Sequence, residues 1–492
     1  MRASGRLVIL VVVTTATSLA LESTPSAPSD QAPIVTFNKD VLPILQENCQ
    51  SCHRPGGIAP MSFMTYESAR PWAKAIKAAV ISREMPPWFA DSQYGEFRNA
   101  PKMTAANRNT LADWVDSGAR EGDAADKPTS PRWVDGWRIP PDVVVSMPTA
   151  YHVPAKGPGE IREFTVPSPF KEDTWVTSIE IRPGDPSVVH HAIVRVPQRP
   201  APTPPPTECG ECLLDLPDNE EDLLKYLEEL AAARGISRNN INIIVDGFPG
   251  RSVRGGAYSP LSLKERQTGR GAFTTMEAVY VPGSPPQNFR YSDSAKLIPG
   301  GAPIRIEVHY TPNGMETSDT TIVGFTLAKS PAQRRFVIMA PEHLVDARKP
   351  IPAGEANWET TGELRFERDA DLVWFMPHMH LRGKDMTFRL IHPDGRDETV
   401  LRATFNFNWQ LGYELATPIK VTNGTRMLVT AHHDNSANNR SNPAPGMSVN
   451  WGEMTTEEMM LPWFGVVVDR DAQPDAIASY RPGEIQESKS AP

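Results

Sequence analysis

The spacing of hydrophobic residues changes near residue 140. Before that point, apolar side chains recur at helical spacing, which predicts short helices around 41–45, over 69–81 and after an N-cap at Thr104. After it, short apolar runs such as VVHHAIVRV and LVWFMPHMH are separated by Pro, Gly and Asn, which predicts antiparallel strands in sandwiches. The predicted fold class is therefore multidomain, with a small all-α domain followed by two all-β sandwiches.

These changes of pattern also give domain boundaries. The predicted segments are a signal peptide (1–20), a disordered linker (21–34), a helical domain (35–125), a second linker (126–139), a first sandwich (140–328), a second sandwich (329–475) and a tail (476–492). An insertion into the first sandwich is predicted at about 198–270, where a proline-rich spacer precedes one amphipathic helix.

The first twenty residues are typical of a secretory signal. Arg2 and Arg6 supply a basic start, an apolar stretch runs from Leu7 to Val13, and small residues end at Ala20. The alternative is a short N-terminal anchor, which is disfavoured because the apolar stretch is too short to span a bilayer. We therefore expect an exported protein, periplasmic or secreted.

Composition narrows the classes of partner. The chain of 492 residues carries a formal charge of -9 and has no basic cluster, which argues against nucleic acid or an anionic membrane as partner. It has no 18-residue apolar run, so we expect no membrane span. Four cysteines are too few for a disulfide-rich scaffold.

One cysteine pair lies in a motif for covalent haem. Cys49-Gln50-Ser51-Cys52-His53 has the spacing of c-type haem attachment, in which both thiols bond the haem and the histidine becomes the proximal iron ligand. A simple disulfide or a zinc pair is the alternative. The sequence thus predicts one covalent haem, bound outside the cytoplasm.

The sixth haem ligand is predicted from a second motif. Arg83-Glu84-Met85-Pro86-Pro87 resembles the Met-Pro-Pro ligand loop of small class I cytochromes c, which makes Met85 the expected ligand and 35–125 a cytochrome c domain. Other methionines of this segment compete for the role, namely Met61, Met64 and Met103.

The second cysteine pair, Cys209 and Cys212, is followed by Leu213 instead of histidine. It therefore does not form a second haem motif. We expect a local disulfide in an oxidising compartment, with a metal or redox role as the alternative.

Candidate metal ligands follow in the strand-rich part. They are His190, His191, His309, His378, His380 and Met459. On a strand, His378 and His380 project to one side and can bind one ion. The adjacent His190 and His191 would point to opposite faces, so joint binding requires a bulge or a strand end. Imidazoles with a thioether favour a redox copper over zinc.

The order of these motifs resembles the copper type II, ascorbate-dependent monooxygenases, which include peptidylglycine alpha-hydroxylating and dopamine beta-monooxygenase. The resemblance covers about 140–470. It implies two jelly-roll-like sandwiches facing each other across a solvent-filled cleft, each with one copper. It places the electron-transfer copper on a first group of ligands (His190, His191, His309) and the catalytic, oxygen-binding copper on a second group (His378, His380, Met459).

Three positions depart from the peptide-hydroxylating members of that family. Met376 stands where they carry an arginine that anchors a carboxylate, and Leu461 and Trp463 replace an asparagine and a tyrosine. A less polar small-molecule substrate is expected. His432 and His433 match no ligand motif, which favours a structural or supporting role over auxiliary metal binding.

The sequence therefore predicts a monooxygenase that hydroxylates a C–H bond with dioxygen. Its electrons would come through the fused haem, and an external electron donor to that haem is left open. The same ligands would also serve an electron-transfer or copper-handling protein without oxygenase activity. A structural module holding a non-redox ion is the third alternative.

Overall fold

The computed structural model describes residues 34–480, apart from 134–135, 158, 198–272, 343, 346–348 and 453. Several predictions lie outside the described residues: the signal peptide, nearly all of the first linker, the insertion with Cys209 and Cys212, and the tail from residue 481.

All α-helices of the described residues lie before residue 117. They are α1 (Leu42–Asn48), α2 (Tyr66–Ala69), α3 (Ala73–Ile81) and α4 (Ala105–Asp116), with π or 3-10 turns at Phe37–Val41, Arg70–Trp72 and Ala124–Asp126. The Thr104 hydroxyl accepts the N–H of Asn107 at 3.1 Å, which confirms the predicted N-cap. Apolar side chains such as Leu45, Leu111 and Trp114 pack into a core of their own.

The rest of the described chain is almost entirely β-structure, with one further 3-10 turn at Pro474–Ala476. The strands are β1 (Val143–Ser146), β2 (Tyr151–Val153), β3 (Glu160–Val166), β4 (Thr174–Arg182), β5 (Val189–Arg195), β6 (Phe273–Met276), β7 (Ala278–Tyr280), β8 (Gln287–Asn288), β9 (Ser294–Ile298), β10 (Ile304–Tyr310), β11 (Thr317–Asp319), β12 (Ile322–Leu327), β13 (Arg334–Pro341), β14 (Trp358–Phe366), β15 (Ala370–His378), β16 (Gly383–Ile391), β17 (Asp397–Thr404), β18 (Tyr413–Val421), β19 (Arg426–His433), β20 (Leu461–Asp469) and β21 (Ala478–Tyr480).

These strands form one large sheet and three smaller ones. The ten-stranded sheet has the order β1-β12-β4-β9-β13-β20-β15-β18, with β6 beside β13 and β8 beside β4. The others are β3-β10-β5-β7, β11-β2 and β17-β16-β19-β14-β21. Short parallel pairing of β9 with β13 joins the two halves of the large sheet.

The central strands of the large sheet are apolar on both faces. On β13, Phe336 and Ile338 belong to one hydrophobic core, whereas Val337 and Met339 belong to another. Because successive side chains of a strand point to opposite faces, this sheet separates two cores. The β-rich part is thus packed as sandwiches, as the sequence predicts, but its two halves share a sheet.

The last strand changes one boundary. β21 pairs with β14 at Leu364 and Tyr480, so the sheet continues past residue 475, where the sequence analysis placed the end of the second sandwich. Within the described residues, no helix is both long and apolar enough to cross a membrane.

Candidate metal and haem sites

A β-bulge places His190 and His191 together. On β10, His309 pairs with His191, but the next residue, Tyr310, pairs with Val189, so His190 is the extra residue. The Nδ1 atoms of the two adjacent histidines therefore lie 3.0 Å apart instead of pointing to opposite faces. Of the two arrangements that would let both rings bind one ion, a bulge or a strand end, the strand has the bulge.

His309 completes the first group from the neighbouring strand. Its ring centroid lies 3.7 Å from that of His191. Its Nε2 lies 2.9 Å from the carboxylate of Glu307. Burial opposes ionisation of Glu307, but the contacts with His309 and Arg195 outweigh it and lower its pKa to about 2. An ionised Glu307 accepts from Nε2–H, which leaves Nδ1 of His309 as the free donor atom.

His378 and His380 lie at the end of β15 and just beyond it, with ring centroids 5.4 Å apart. Nδ1 of His378 contacts Oε1 of Gln410 at 2.5 Å. Nδ1 of His380 donates to the backbone carbonyl of Glu457 at 3.2 Å. In both rings, Nδ1 is engaged and Nε2 remains free to coordinate a metal. Metal-ligating histidines are commonly oriented in this way, through the nitrogen that does not bind the metal.

Glu458 connects the two segments that carry the second group. Its side chain is fully buried and accepts backbone N–H groups of His380 at 3.1 Å, Arg382 at 2.6 Å and Met459 at 3.3 Å. Burial raises the pKa of Glu458 to about 7, although the hydrogen bonds from these three N–H groups lower the pKa. The half-buried Met459 is thereby tied to the turn after β15.

The two groups of histidines meet. The ring of His191 lies 6.3 Å from that of His378, and the ring of His190 stacks at 4.7 Å on Phe407. The expected solvent-filled cleft between the two halves is wrong for this structure. The reason is packing: the apolar faces of β13, β15 and β20 are buried against the first half, which closes the space.

In the histidine cluster, by which we mean His190, His191, His309, His378 and His380, the rings of His190, His191, His378 and His380 are neutral around pH 7. Burial is the main cause: it lowers the pKa of His190 and His378 to about 4 and that of His380 to about 3, and it lowers the pKa of His191 strongly. Neutral imidazole is the form that binds a metal, so no proton has to leave these rings first.

The donor set fits copper in its chemistry. Two nitrogen ligands on one tetrahedral ion lie about 3.3 Å apart, close to the separation of the Nδ1 atoms of His190 and His191. Their Nε2 atoms are buried without a hydrogen-bond partner in the described part of the chain. However, no three His, Cys, Asp or Glu side chains among the described residues form a complete metal-binding group. The imidazole nitrogens of the described residues therefore approach one another two at a time, as Nδ1 of His190 and Nδ1 of His191 do.

The haem motif forms a tight turn after α1. The N–H of Cys52 and that of His53 both donate to the carbonyl of Cys49, at 3.1 and 2.9 Å. Nδ1 of His53 donates to the carbonyl of Met61 at 3.3 Å, which leaves Nε2 free, and Phe63 stacks on the ring at 4.3 Å. Both cysteines are free thiols. These features fit covalent attachment of a haem with an oriented proximal histidine.

The haem motif also contacts the first sandwich. A Cβ on Gly283 would lie 3.1 Å from the sulfur of Cys52. Gly283 follows β7 by three residues, and Tyr280 of β7 pairs with Ala192, which adjoins His191. Summed along the chain and across the strands, Gly283 and His191 are no more than about 20 Å apart. The haem motif is thus close to the first ligand group.

Met85 follows α3, and its N–H donates to the carbonyl of Ala79 at 3.1 Å. It is half-buried and outside the helical core, whereas Met103 and Met61 pack in or against that core beside Cys49. The described contacts do not join Met85 to His53, so its role as sixth ligand stays a prediction.

The three positions that depart from the family that the sequence resembles lie beside the second group. Leu461 pairs with His378, and Trp463 pairs with Met376 on the same two strands. Met376 and Trp463 are 3% and 2% exposed, and they belong to the core shared with the first half. The wall of the histidine cluster at this point is therefore apolar.

Sequence reasoning missed the residues that orient the histidines, namely Glu307, Phe407, Gln410 and Glu458. Glu307 stands two positions before His309, and Glu458 adjoins Met459, so strand alternation and proximity could have suggested them. Nothing in the sequence relates Gln410 to His378, because that contact depends on the folded loop.

His432 and His433 have different surroundings, and the ring of His433 contacts the backbone of Met459, one of the proposed ligands. His432 contacts two carboxylates across neighbouring strands, Asp385 at 2.7 Å and Glu359 at 3.3 Å, which gives it a cross-strand structural role. His433 is fully buried, edge-on to Trp451, with its Nε2 3.8 Å from Glu458.

No family model and no curated protein matches this chain. The solved structures that are similar include a mutant VP2 protein of infectious bursal disease virus, in derived T=1 particles, with 11% identity, a TM-score of 0.14, and coverage of 71% of this chain and 76% of that chain. The structure of the Gt strain of the same virus has 11% identity, a TM-score of 0.14, and coverage of 72% and 79%. With such low TM-scores, these similarities carry no argument about fold or function.

Proposed function

We propose that this chain is an exported haem- and copper-dependent monooxygenase that hydroxylates a C–H bond of a small, weakly polar organic molecule. The observation that carries the proposal is the meeting of five histidines from β5, β10 and the end of β15, four of them kept neutral by burial, close to a c-type haem motif. One oxygen atom of dioxygen would be inserted into the C–H bond. The other oxygen atom would be reduced to water by two electrons and two protons.

The two ligand groups would hold two coppers. Nδ1 of His309, with His190 and His191, supports the first site, and Nε2 of His378 and His380, with the thioether of Met459, supports the second. When bound, copper supplies the one-electron chemistry that activates dioxygen. The chain fixes these donors: Glu307 holds the proton on Nε2 of His309, and the Glu457 carbonyl holds the proton on Nδ1 of His380.

The helical part would be a cytochrome c domain carrying one covalent haem on Cys49 and Cys52. His53 would be the proximal ligand and Met85 the sixth. When bound, this haem supplies a one-electron reservoir. The contact of Cys52 with Gly283, next to the strand that pairs with β5, supports electron entry at the first group. An external donor would reduce the haem.

The proposed substrate class follows from the side chains that lie beside the histidine cluster. Met376, Leu461 and Trp463 offer apolar contacts but no cation for a carboxylate. Arg195 lies over Trp463 at 5.7 Å, but its guanidinium is engaged with Glu307 at 3.6 Å. A hydrocarbon-rich substrate is therefore favoured over a C-terminal peptide.

The experiment is stopped-flow reoxidation of the reduced haem in the full chain, with and without copper, dioxygen and a panel of small apolar compounds. The proposal expects reoxidation to be fastest when all three are present, with labelled oxygen from dioxygen appearing in an alcohol product. Equal reoxidation rates with and without copper would contradict it.

One observation favours a second function, electron transfer or copper handling without oxygenation. Met376 and Trp463 are almost fully buried, and the rings of His191 and His378 are close, so substrate has little room there. Under this alternative, the copper-loaded, reduced protein retains its copper and consumes no dioxygen with any compound of the panel.

A further inference from the structure

One loop contacts both groups of histidines. In the loop of residues 405–412, between β17 and β18, Phe407 stacks on His190 at 4.7 Å and 21°. The buried side chain of Gln410 contacts Nδ1 of His378 at 2.5 Å. Its Nε2 also donates to the carbonyl of Phe407 at 3.3 Å, which links the two contacts. The position of this loop therefore sets the orientation of His378 and the covering of His190.

The start of the loop is paired with a segment of the helical part. This docking segment, residues 89–100, leaves the helical core between α3 and α4. The N–H of Asp91 donates to the carbonyl of Arg402 at 2.8 Å, and the N–H of Thr404 donates to the carbonyl of Phe89 at 3.1 Å. The segment thus continues the edge of the five-stranded sheet at the last residues of β17.

The end of the loop is paired with the same segment. The N–H of Arg98 donates to the carbonyl of Glu414 at 2.9 Å. The side chain of Asn99 donates to the carbonyl of Gly412 at 2.8 Å and accepts the N–H of Glu414 at 3.0 Å. Since β18 is an edge strand of the large sheet, the docking segment bridges the open edges of two sheets at the points where the loop leaves and returns.

Aromatic packing makes this interface apolar at its centre. Trp88, Phe97 and Tyr413 form edge-to-face contacts with centroid distances of 5.0 to 5.9 Å. Tyr413 is buried and directly follows the loop. An apolar interface with paired backbone is typical of a fixed contact rather than of a flexibly tethered domain.

We propose that the helical part is a structural component of the histidine cluster, with Asn99 as a positioning residue that acts through the 405–412 loop. This rests on the proposed function for the identity of the metal. It goes beyond electron supply, because the docked helical part fixes the orientation of His378 even when no electron is transferred.

The test uses the full-length haem-loaded chain and its Asn99→Ala, Asn99→Asp and Gln410→Ala variants. Gln93→Ala, exposed on the same docking segment, is the matched control. Competition with Cu(I) chelators gives the affinity, the Cu(II) EPR spectrum gives the ligand geometry, and hydrogen exchange of the 405–412 amides gives the stability of the loop without metal.

Loss of a direct hydrogen-bond partner of a metal ligand lowers affinity about 10- to 100-fold. Because Asn99 acts through the loop, we expect Asn99→Ala to lower Cu(I) affinity by less than Gln410→Ala, to change the EPR spectrum in the same direction as Gln410→Ala, and to speed exchange in the loop. Asn99→Asp, which keeps the acceptor for Glu414, should lie between Asn99→Ala and the native chain, and Gln93→Ala should match the native chain. The haem spectrum reports that the helical part is intact.

One combined result would overturn the inference. In it, Gln410→Ala changes the copper affinity and the EPR spectrum, Asn99→Ala changes neither, and the 405–412 amides exchange equally fast in Asn99→Ala and the native chain. Failure of the proposed function is a separate result, since the native chain would then bind no copper. In that case, loop exchange alone decides whether Asn99 fixes the loop.

Discussion

The carboxylate of Glu458 accepts the backbone N–H of His380 at 3.1 Å from a fully buried position beside Met459. The two ligand-bearing segments are 78 positions apart in the chain, so this one side chain fixes their relative position. Removal of this buried acceptor is costly, because three backbone N–H groups would then lack a hydrogen-bond partner.

Removal of Glu458 should therefore affect stability and copper together. We expect Glu458→Ala to lower the free energy of unfolding by about 3 kcal/mol, and Glu458→Gln, which keeps one acceptor oxygen, by about 1 kcal/mol. Both should weaken copper binding at the second group. Chemical denaturation and chelator competition measure these effects, with Glu457→Gln as the neighbouring control. Equal stability of Glu458→Ala and the control would refute this role.

Glu307 should affect the first group more than the second, because it contacts His309 directly but acts on His378 only through its charge. Glu307→Gln removes the charge that holds the Nε2 proton of His309, and loss of such a partner lowers metal affinity about 10- to 100-fold. Glu163, which pairs directly with Glu307 across β3 and β10, is the control as Glu163→Gln. Copper titration followed by EPR separates the two groups, and equal affinities in both variants would contradict the assignment.

Gly283 should couple the haem motif to the first sandwich. It has a φ of +81° and approaches Cys52, whereas Gly301 has a φ of +75° and faces open space where a side chain would lie. Alanine at either position should cost about 1 kcal/mol of backbone strain. Only Gly283→Ala should also displace Cys52 and slow copper-dependent reoxidation of the haem. Identical kinetics in the two variants would remove this contact from the electron route.

Met85 is tested against the other methionines of the helical part. We expect Met85→Ala to abolish the absorption band of methionine-ligated ferric haem and to lower its potential, because the thioether opposite histidine raises it. Met103→Ala should lower stability by about 2 kcal/mol or more through a core cavity, but keep the band. If the band is lost in Met103→Ala or Met61→Ala instead, Met85 is not the ligand.

Much of the fold, and the candidate residues that the structure brings together, could be predicted from the sequence. Apolar runs between turn residues predicted the β-rich sandwiches. The adjacency of His190 and His191 required a bulge or a strand end for joint binding, and β5 and β10 contain a bulge. These predictions succeed because they depend on local geometry, the two-residue period of a strand.

The relations between distant segments could not be predicted. The expected open cleft is instead a shared core, because burial of both faces of β13, β15 and β20 depends on how the halves pack. Gln410 meets His378, and Asn99 meets Gly412, through loops without periodicity. The contacts of Gln410 and Asn99 depend on tertiary structure, which local sequence patterns do not predict.

The central claim is tested most directly by the copper-to-haem ratio of the mature chain, produced with c-type haem attachment and adequate copper. The account predicts two coppers for each haem, and one when His378→Ala and Met459→Ala are combined. A ratio near zero with haem still attached would contradict it, and would leave a haem protein whose histidine cluster is structural.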